Sequence, residues 1–334
     1  MLDLKKRQSA FIELGNYLQT PDMALEGAIH KAFIYNAWFE PINTKQYLLS
    51  IASAFLSQSN LEKWTSNYNI SKNLSNKNIG IIAAGNIPII CFHDVLCVLI
   101  SGHKAQIKLS DKDKYLLPFI LNKLIEIEPA YENQIQIVER IVQPDAIIAT
   151  GSDNTGRYFE HYFGKYPNII RKNRHSIAIL EGNETDEELL ALGNDIFDYF
   201  GMGCRNVSQL IIPKDFEITK LKTIWEPFKD IMEHNKYRNN LDYQRTVYLM
   251  SIKPMVDIDF INIVDNDSLG SPIACLHLKR YENKKEIDEF IESNKMQLQC
   301  IVGKDYTPFG KSQMPQLWDY ADNIDTMKFL VDLY

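Results

Sequence analysis

The sequence lacks the features of several protein classes. No apolar run reaches the ~18 residues of a membrane-spanning helix, and charges stand where a signal peptide would need its apolar stretch. The net charge of −7 disfavours a large basic surface. We therefore expect a cytoplasmic protein that has no membrane span and no nucleic-acid partner.

Cysteine is scarce and widely spaced. The chain has five cysteines, no CxxC pair, and no histidines at zinc-finger spacing from them. This pattern predicts reduced thiols and no metal site. A free cysteine is often a small buried apolar residue without chemistry. A functional role would therefore require that a substrate can reach at least one of the five. The five are Cys91, Cys97, Cys204, Cys275 and Cys300.

The 334 residues, 45% of them hydrophobic and 24% charged, suit about two globular domains. Residues 1–75 are predicted to be mainly helical, with a polar loop at 71–78. From residue 79, alternating strand and helix patterns predict a mostly parallel sheet with helices on both faces. The strands of this part are predicted at 79–84, 105–109, 134–138 and 146–149, and the helices at 89–100, 115–127 and 155–163. A second unit has predicted strands at 177–180, 260–264, 273–278 and 297–302 and helices at 184–199, 218–234 and 283–293, with a polar stretch after 234.

Polar residues follow the first predicted strands, where ligands bind in parallel sheets. Asn86 could donate to a developing oxyanion, or it could simply form a turn before a proline. Lys108 could reach cofactor hydroxyls or phosphates, or it could be an ordinary exposed strand-end lysine. The segment TGSDNTG at 150–156 starts a helix, whose backbone N–H groups can bind anions. It matches neither GxGxxG nor a Walker loop.

Cys204 is the cysteine in a reactive setting. It lies in GMGCRNVS (201–208), a small-residue turn ahead of a strand-like run. A thiolate attacks carbonyl carbons well, and the adjacent Arg205 could raise the thiolate fraction. The alternative is a buried thiol without chemistry.

In this order, these segments resemble the aldehyde dehydrogenase superfamily. The matching pieces are GNIP with the later GHKAQIKLSD, ATGSDNTG, GMGCRNVSQLIIP, and the stretch from SPIACLHLKRY to VGKD. The resemblance covers roughly residues 79–305. It is closest to the LuxC-like acyl-CoA reductases, because the short forms ATGSD and FGMGCRNVS are similar to theirs.

The resemblance implies an α/β fold with a Rossmann-type parallel sheet. Residues 1–183 would form the cofactor-binding domain and 184–310 a second α/β domain that carries the nucleophile. Residues 311–334 would return to the first domain or pack on a partner chain, as in a homodimer.

The resemblance also implies roles for individual residues. Cys204 would be the nucleophile, and Asn86 would hold the oxyanion together with the backbone N–H of Cys204. The cofactor would be NADPH, with NADH as the alternative. Its adenosine ribose or phosphate would contact Lys108 and Ser110, and its pyrophosphate or nicotinamide side would lie over Gly151 and Ser152.

The implied reaction is reduction of a fatty acyl thioester, carried by coenzyme A or acyl carrier protein, to an aldehyde. Arg171 stands where aldehyde-oxidising members carry the water-activating glutamate, which disfavours hydrolysis of an acyl-enzyme. The ribose-binding glutamate motif of the superfamily is altered to DSLGSP at 267–272. Lys108 and Lys112 suit a 2′-phosphate, whereas Asp111 suits a free ribose hydroxyl.

Two alternatives remain open. An acyl-phosphate reductase would need a phosphate site, which Arg205 and Arg171 could supply. A chain that keeps the fold but has lost catalysis would be an acyl- or partner-binding protein.

Overall fold

The computed structural model describes residues 2–70, 76–151, 153–252 and 254–333. Most of the polar loop predicted at 71–78 lies outside these residues. The chain divides into two compact units, of which the first is Met1–Asn173 with Pro315–Tyr334 and the second is Arg174–Met314. The division falls ten residues before the expected boundary at 183/184, and the C-terminal segment belongs to the first unit.

Four helices open the first unit. Asp3 caps the first helix through the N–H of Lys6 at 2.8 Å, and Asp22 caps the second through that of Leu25 at 2.9 Å, which supplies partners for otherwise unbonded amides. The apolar faces of these helices join one core with the sheet that follows. The helices are α1 (Leu4–Gln19), α2 (Met23–Tyr35), α3 (Pro41–Ala54) and α4 (Gln58–Thr65).

A five-stranded, wholly parallel sheet forms the centre of the first unit, as the strand–helix alternation predicted. Its strand order is β3-β2-β1-β4-β5. The strands are β1 (Asn78–Ile82), β2 (Lys104–Lys108), β3 (Ile135–Ile137), β4 (Ala146–Thr150) and β5 (Asn168–Arg171). Strands β1 and β4 are buried almost throughout, which explains their continuous apolar sequence.

The connecting helices of the first unit are α5 (Phe92–Ser101), α6 (Leu116–Ile127) and α7 (Asp153–Phe163), and the chain ends near α12 (Thr326–Val331). Gly102 ends α5 in the left-handed region, with φ of 92°, where glycine carries no steric penalty. Among the described residues, no helix combines the length and the hydrophobicity required to cross a bilayer.

The second unit has its own core around a six-stranded sheet of order β11-β6-β7-β10-β9-β8. The strands are parallel except for the pair β8–β9. They are β6 (His175–Ile179), β7 (Val207–Pro213), β8 (Met255–Asp257), β9 (Asn262–Asp265), β10 (Cys275–Tyr281) and β11 (Leu298–Val302). Its helices are α8 (Asp186–Phe197), α9 (Leu221–Ile224), α10 (Asn235–Met250) and α11 (Lys284–Asn294).

Two predicted features of the second unit were wrong. The helix expected over 218–234 is only the short α9 followed by a 3-10 segment, Glu226–Glu233, which has a proline in its first turn. The polar stretch after residue 234 forms the long helix α10, because Tyr237, Leu241 and Tyr248 bury one face of it. Strands β5 and β8 had not been predicted.

Candidate functional site

The loops at the C-terminal edge of the first sheet bring together four predicted site residues. In the sheet register, Ile82 of β1 pairs with Lys108 of β2 on one side and with Ala149 of β4 on the other. The chain therefore leaves these three strands at one level. Lys108 ends β2 there, and Asn86, Ser110 and Gly151 follow in the three loops. The strand order reverses between β1 and β4, and such a switch point is where open α/β sheets bind ligands.

The loop after β1 is held by Asp113, a residue that the sequence analysis missed. Asp113 is buried, and its Oδ2 accepts the N–H of Ile89 at 2.6 Å. Ile89 has φ of 44°, a strained conformation for a β-branched residue. Burial raises the pKa of Asp113, and the bond from Ile89 opposes that rise. Asn86 is half-buried in this loop.

A second contact joins the loops after β1 and β2. A Cβ atom on Gly85 would lie 2.4 Å from Ser110 Oγ, so only glycine permits this approach. Lys108 is exposed and Ser110 half-buried. Asp111 pairs with Lys114 at 2.9 Å, and Lys114 is the main cause that lowers the pKa of Asp111, with a smaller effect of Lys108.

The loop after β4 leads directly into α7. The N–H of Gly151 donates to the carbonyl of Arg171 at 3.2 Å. A Cβ on Gly151 would lie 2.9 Å from Phe159 and 3.0 Å from Thr155, so glycine lets the first turns of α7 pack on the end of the strand. Ser152, the other residue predicted here, lies outside the described residues.

Arg171, at the end of β5, is sealed in an ion pair. It is 3% exposed, and its Nη1 donates to Asp94 Oδ2 at 2.5 Å while its Nη2 donates to Thr326 Oγ1 at 2.8 Å. A buried guanidinium engaged by the protein supplies no phosphate site. It is also not a base, since arginine stays protonated.

Cys204 lies in a turn of the second unit, just before β7. It is half-buried, whereas the other four cysteines are buried. Burial raises the pKa of Cys91 and of Cys97 well above the ordinary value, and that of Cys275 to about 11. Ser176 Oγ donates to the carbonyl of Cys204 at 2.9 Å. The turn thus presents the one thiol of the five that is not buried.

The turn is also fixed to the segment around Gly310. Arg205 Nε donates to the carbonyl of Ser312 at 2.6 Å, so part of its guanidinium is directed to the backbone. The buried carboxylate of Asp195 accepts the N–H groups of Gly310 at 2.6 Å and of Ser312 at 2.8 Å. Burial raises the pKa of Asp195. No sequence motif marks these contacts, because the bonded residues lie more than a hundred positions apart in the chain.

The altered motif at 267–272 is packed against the second sheet. Asp267 pairs with Lys279 at 2.5 Å. A Cβ on Gly270 would lie 2.3 Å from the His175 ring, so the imidazole rests directly on the glycine backbone. Among the described residues, no group of three or more His, Cys, Asp or Glu side chains could hold a metal ion.

No protein-family model matches the sequence, and a search of curated proteins found no match. Solved structures are similar to the fold. Aldehyde dehydrogenase 21 from Physcomitrella patens, in complex with succinate, has a TM-score of 0.71 at 11% identity, over 99% of this chain and 84% of that one.

Two further structures are similar in the same way. An NAD-dependent benzaldehyde dehydrogenase from Corynebacterium glutamicum has a TM-score of 0.65 at 11% identity, over 94% of this chain and 80% of that one. An indole-3-acetaldehyde dehydrogenase in complex with NAD+ has a TM-score of 0.63 at 13% identity, over 90% of this chain and 72% of that one. The chain therefore has the aldehyde dehydrogenase fold, with a parallel sheet in one unit and a mixed sheet in the other.

Proposed function

We propose that this protein is an oxidoreductase that uses Cys204 to reduce an acyl thioester to an aldehyde with NADPH or NADH. The observation that carries the proposal is the position of Cys204. It is the one cysteine of the five that is not buried, and it lies in an anchored turn ahead of β7 in a chain with this fold. Fatty acyl-CoA and acyl carrier protein thioesters are the proposed substrates.

The chemistry proposed for the residues has two stages. The Cys204 thiolate attacks the thioester carbonyl, and the oxyanion accepts a hydrogen bond from the Cys204 N–H. Asn86 remains the second oxyanion donor that the resemblance implies. The carbonyl re-forms as the carrier thiolate leaves and is protonated, which gives an acyl-enzyme. After reduction of the acyl carbon, the carbon–sulfur bond breaks, aldehyde leaves and the Cys204 thiolate is regenerated.

The first unit has residues that suit a dinucleotide. Lys108 is exposed at the end of β2, Ser110 lies beside the β1 loop, and Gly151 leads into the N-terminus of α7. When bound, a nicotinamide cofactor supplies the hydride. We infer a preference for NADPH, because Lys108 and Lys112 offer cations to a 2′-phosphate while Lys114 pairs with the competing Asp111.

Reduction is favoured over oxidation of aldehydes by the setting of Arg171. A hydrolytic reaction needs a base to activate water, and the guanidinium at this position is buried against Asp94. Oxidation of an aldehyde remains the second candidate, because the NAD-dependent benzaldehyde dehydrogenase shares the fold. The contacts of Arg171 and Arg205 do not favour an acyl-phosphate substrate.

The test is acyl-CoA-dependent oxidation of NADPH, followed by absorbance, in the wild type and in Cys204→Ala. We expect the substitution to abolish turnover, because no acyl-enzyme can form. Cys300→Ala, which removes a buried thiol of the same unit, is the matched control and should retain activity. Incubation with radiolabelled acyl-CoA should label Cys204 alone.

Other outcomes separate the alternatives. Full activity in Cys204→Ala would rule out the assignment. Turnover of an aldehyde with NAD+ but of no acyl thioester would favour the oxidation reading. A wild-type protein that binds neither NADPH nor NADH in a fluorescence titration would be an inactive binding protein.

A further inference from the structure

A buried amide next to the nucleophile has no part in the reaction proposed above. Asn206 is two residues after Cys204 and is only 2% exposed. Burial of an amide is costly unless its polar atoms are bonded. The partners of Asn206 therefore indicate what the residue does.

Asn206 joins the two ends of the cysteine turn twice. Its backbone N–H donates to the carbonyl of Gly203 at 3.0 Å, and its side-chain Oδ1 accepts the N–H of Gly203 at 2.8 Å. Cys204 and Arg205 lie within this ring. A Cβ on Gly203 would be 2.9 Å from Asn206 Oδ1, so the bond requires glycine at that end.

The other half of the amide fixes the turn to helix α8. Asn206 Nδ2 donates to the carbonyl of Asp198 at 2.7 Å and to that of Asp195 at 3.2 Å. The last carbonyls of a helix have no partner within the helix, so a side-chain donor there satisfies them. The amide thus connects the turn to a rigid element with its own core contacts.

The bonds from Asn206 join the turn to α8 although the helix itself does not continue into the turn. Between α8 and the turn, Tyr199, Phe200 and Gly201 all have positive φ, of 53°, 60° and 72°. This segment reverses the chain and brings residue 206 back to the end of α8. The Asn206 amide therefore bonds the turn to the end of the helix at the point where the chain returns to it.

We propose that Asn206 is a positioning residue that holds Cys204 at the angle from which its sulfur attacks a carbonyl carbon. It acts through Gly203 and α8 and does not touch the substrate. The proposal rests on Cys204 being the nucleophile. It requires an amide, since one acceptor and two donors are used at once.

The test compares two reactions of the same sulfur in Asn206→Ala. Alkylation by iodoacetamide depends on thiolate fraction and exposure. Acylation by p-nitrophenyl acetate or acyl-CoA also depends on a fixed geometry of attack. We expect acylation to slow by about 10²-fold with an unchanged KM, while the alkylation rate, mapped to Cys204 by mass spectrometry, stays within about threefold.

Two further variants keep the test falsifiable. Asn206→Asp keeps the acceptor for Gly203 but turns an oxygen instead of a donor towards the carbonyls of Asp195 and Asp198, so acylation slower than in the wild type is expected even where Asn206→Ala folds poorly. Glu184→Ala is the matched control, because Glu184 is a buried side chain that accepts the N–H groups of Glu181 at 2.5 Å and Gly182 at 3.0 Å in another turn of this unit. It should change neither rate.

Wild-type acylation in Asn206→Ala or Asn206→Asp, or alkylation that falls in parallel with acylation in either variant, would overturn the positioning role. A wild type that reacts with p-nitrophenyl acetate but not with acyl-CoA would contradict the proposed substrate alone, and the comparison of variants with the ester would still decide the role of Asn206.

Discussion

At the scale of single residues, burial separates side chains of the same type. Cys204 differs from Cys91 and Cys97 in exposure rather than in chemistry, because the latter two thiols lie in the core of the first unit. The same holds for carboxylates near the cysteine turn. Burial raises the pKa of Asp198 from its ordinary 3.8 to about 7, with a smaller contribution from the carboxylate of Asp195.

The raised pKa of Asp198 predicts how stability depends on pH. The folded state holds the proton of Asp198 more tightly than the unfolded state does. The resulting contribution to the free energy of unfolding is fully present below pH about 4. It is lost as pH rises toward 7. Asp198→Asn should therefore melt at least about 2–4 °C above the wild type at pH 8, and the two should converge toward pH 4.

Circular dichroism melts at several pH values would measure this difference. Asp215→Asn, which alters an exposed carboxylate of the same unit, is the control and should follow the wild type at every pH. A constant offset between Asp198→Asn and the wild type from pH 4 to 8 would contradict the pKa assignment.

Sequence reasoning could propose only residues that lie in local motifs, and it missed side chains that hold a loop or turn from elsewhere in the chain. Cys204, Asn86 and Lys108 stand at ends of elements that apolar runs mark out. Asp113 precedes α6 as a capping residue would, a signal that was available. No sequence signal marked Asp195, because its bonds to the segment around Gly310 join positions that are distant in the chain.

At the scale of elements, the loop after β1 depends on Asp113, which precedes α6 and not α5, the helix that follows this loop. Asp113→Ala removes the acceptor of the buried N–H of Ile89, whose strained φ needs support from its surroundings. We expect a loss of about 1–3 kcal/mol in the free energy of unfolding, measured by urea denaturation.

The neighbouring aspartate provides the control. Asp111→Ala removes an exposed carboxylate that pairs with the partly exposed Lys114, so the free energy of unfolding should stay close to that of the wild type. In a fluorescence titration, Asp113→Ala should also bind NADPH more weakly if the loop contributes to the cofactor site. Equal stability of the two variants would show that Asp113 does not hold the loop.

Helix α10 shows why element prediction failed in one place. Its sequence is polar over most of its surface, and its three buried positions, at 237, 241 and 248, are spaced too widely to dominate the pattern. Tertiary contacts, which the sequence pattern does not show, stabilise this helix. One of them is the hydrogen bond that the Tyr237 hydroxyl donates to the carbonyl of Phe260 at 3.0 Å. Where strands are buried on both faces, as in β1 and β4, the apolar run alone was sufficient to predict the strand.

At the scale of the whole molecule, the alternation of strands and helices predicted the α/β architecture, but not which segments complete each unit. The two large cores are built from different parts of the chain. Residues 315–334 belong to the first, because Leu317, Met327 and Leu330 are fully buried there. An aromatic and acidic composition could not distinguish this arrangement from packing on a partner chain.

The contacts of this terminal segment predict a localised loss of structure on its removal. The Tyr320 hydroxyl accepts the Trp64 Nε1–H at 2.6 Å, and His103 bonds the carbonyl of Leu330 at 3.0 Å. A chain ending at Met314 should therefore lose amide protection in β1, β2 and α5 in hydrogen exchange, while β7 and β10 keep theirs because their core uses none of these residues.

A point substitution makes the same argument quantitative. Leu330→Ala leaves a cavity in the first core and should cost about 2–5 kcal/mol, with increased exchange again confined to the first unit. Lys328→Ala, on the exposed face of α12, should be neutral. Equal loss of protection in β7 and β10 would mean that the two cores unfold as one cooperative body, and the division of the chain at residues 173 and 315 would then have no thermodynamic counterpart.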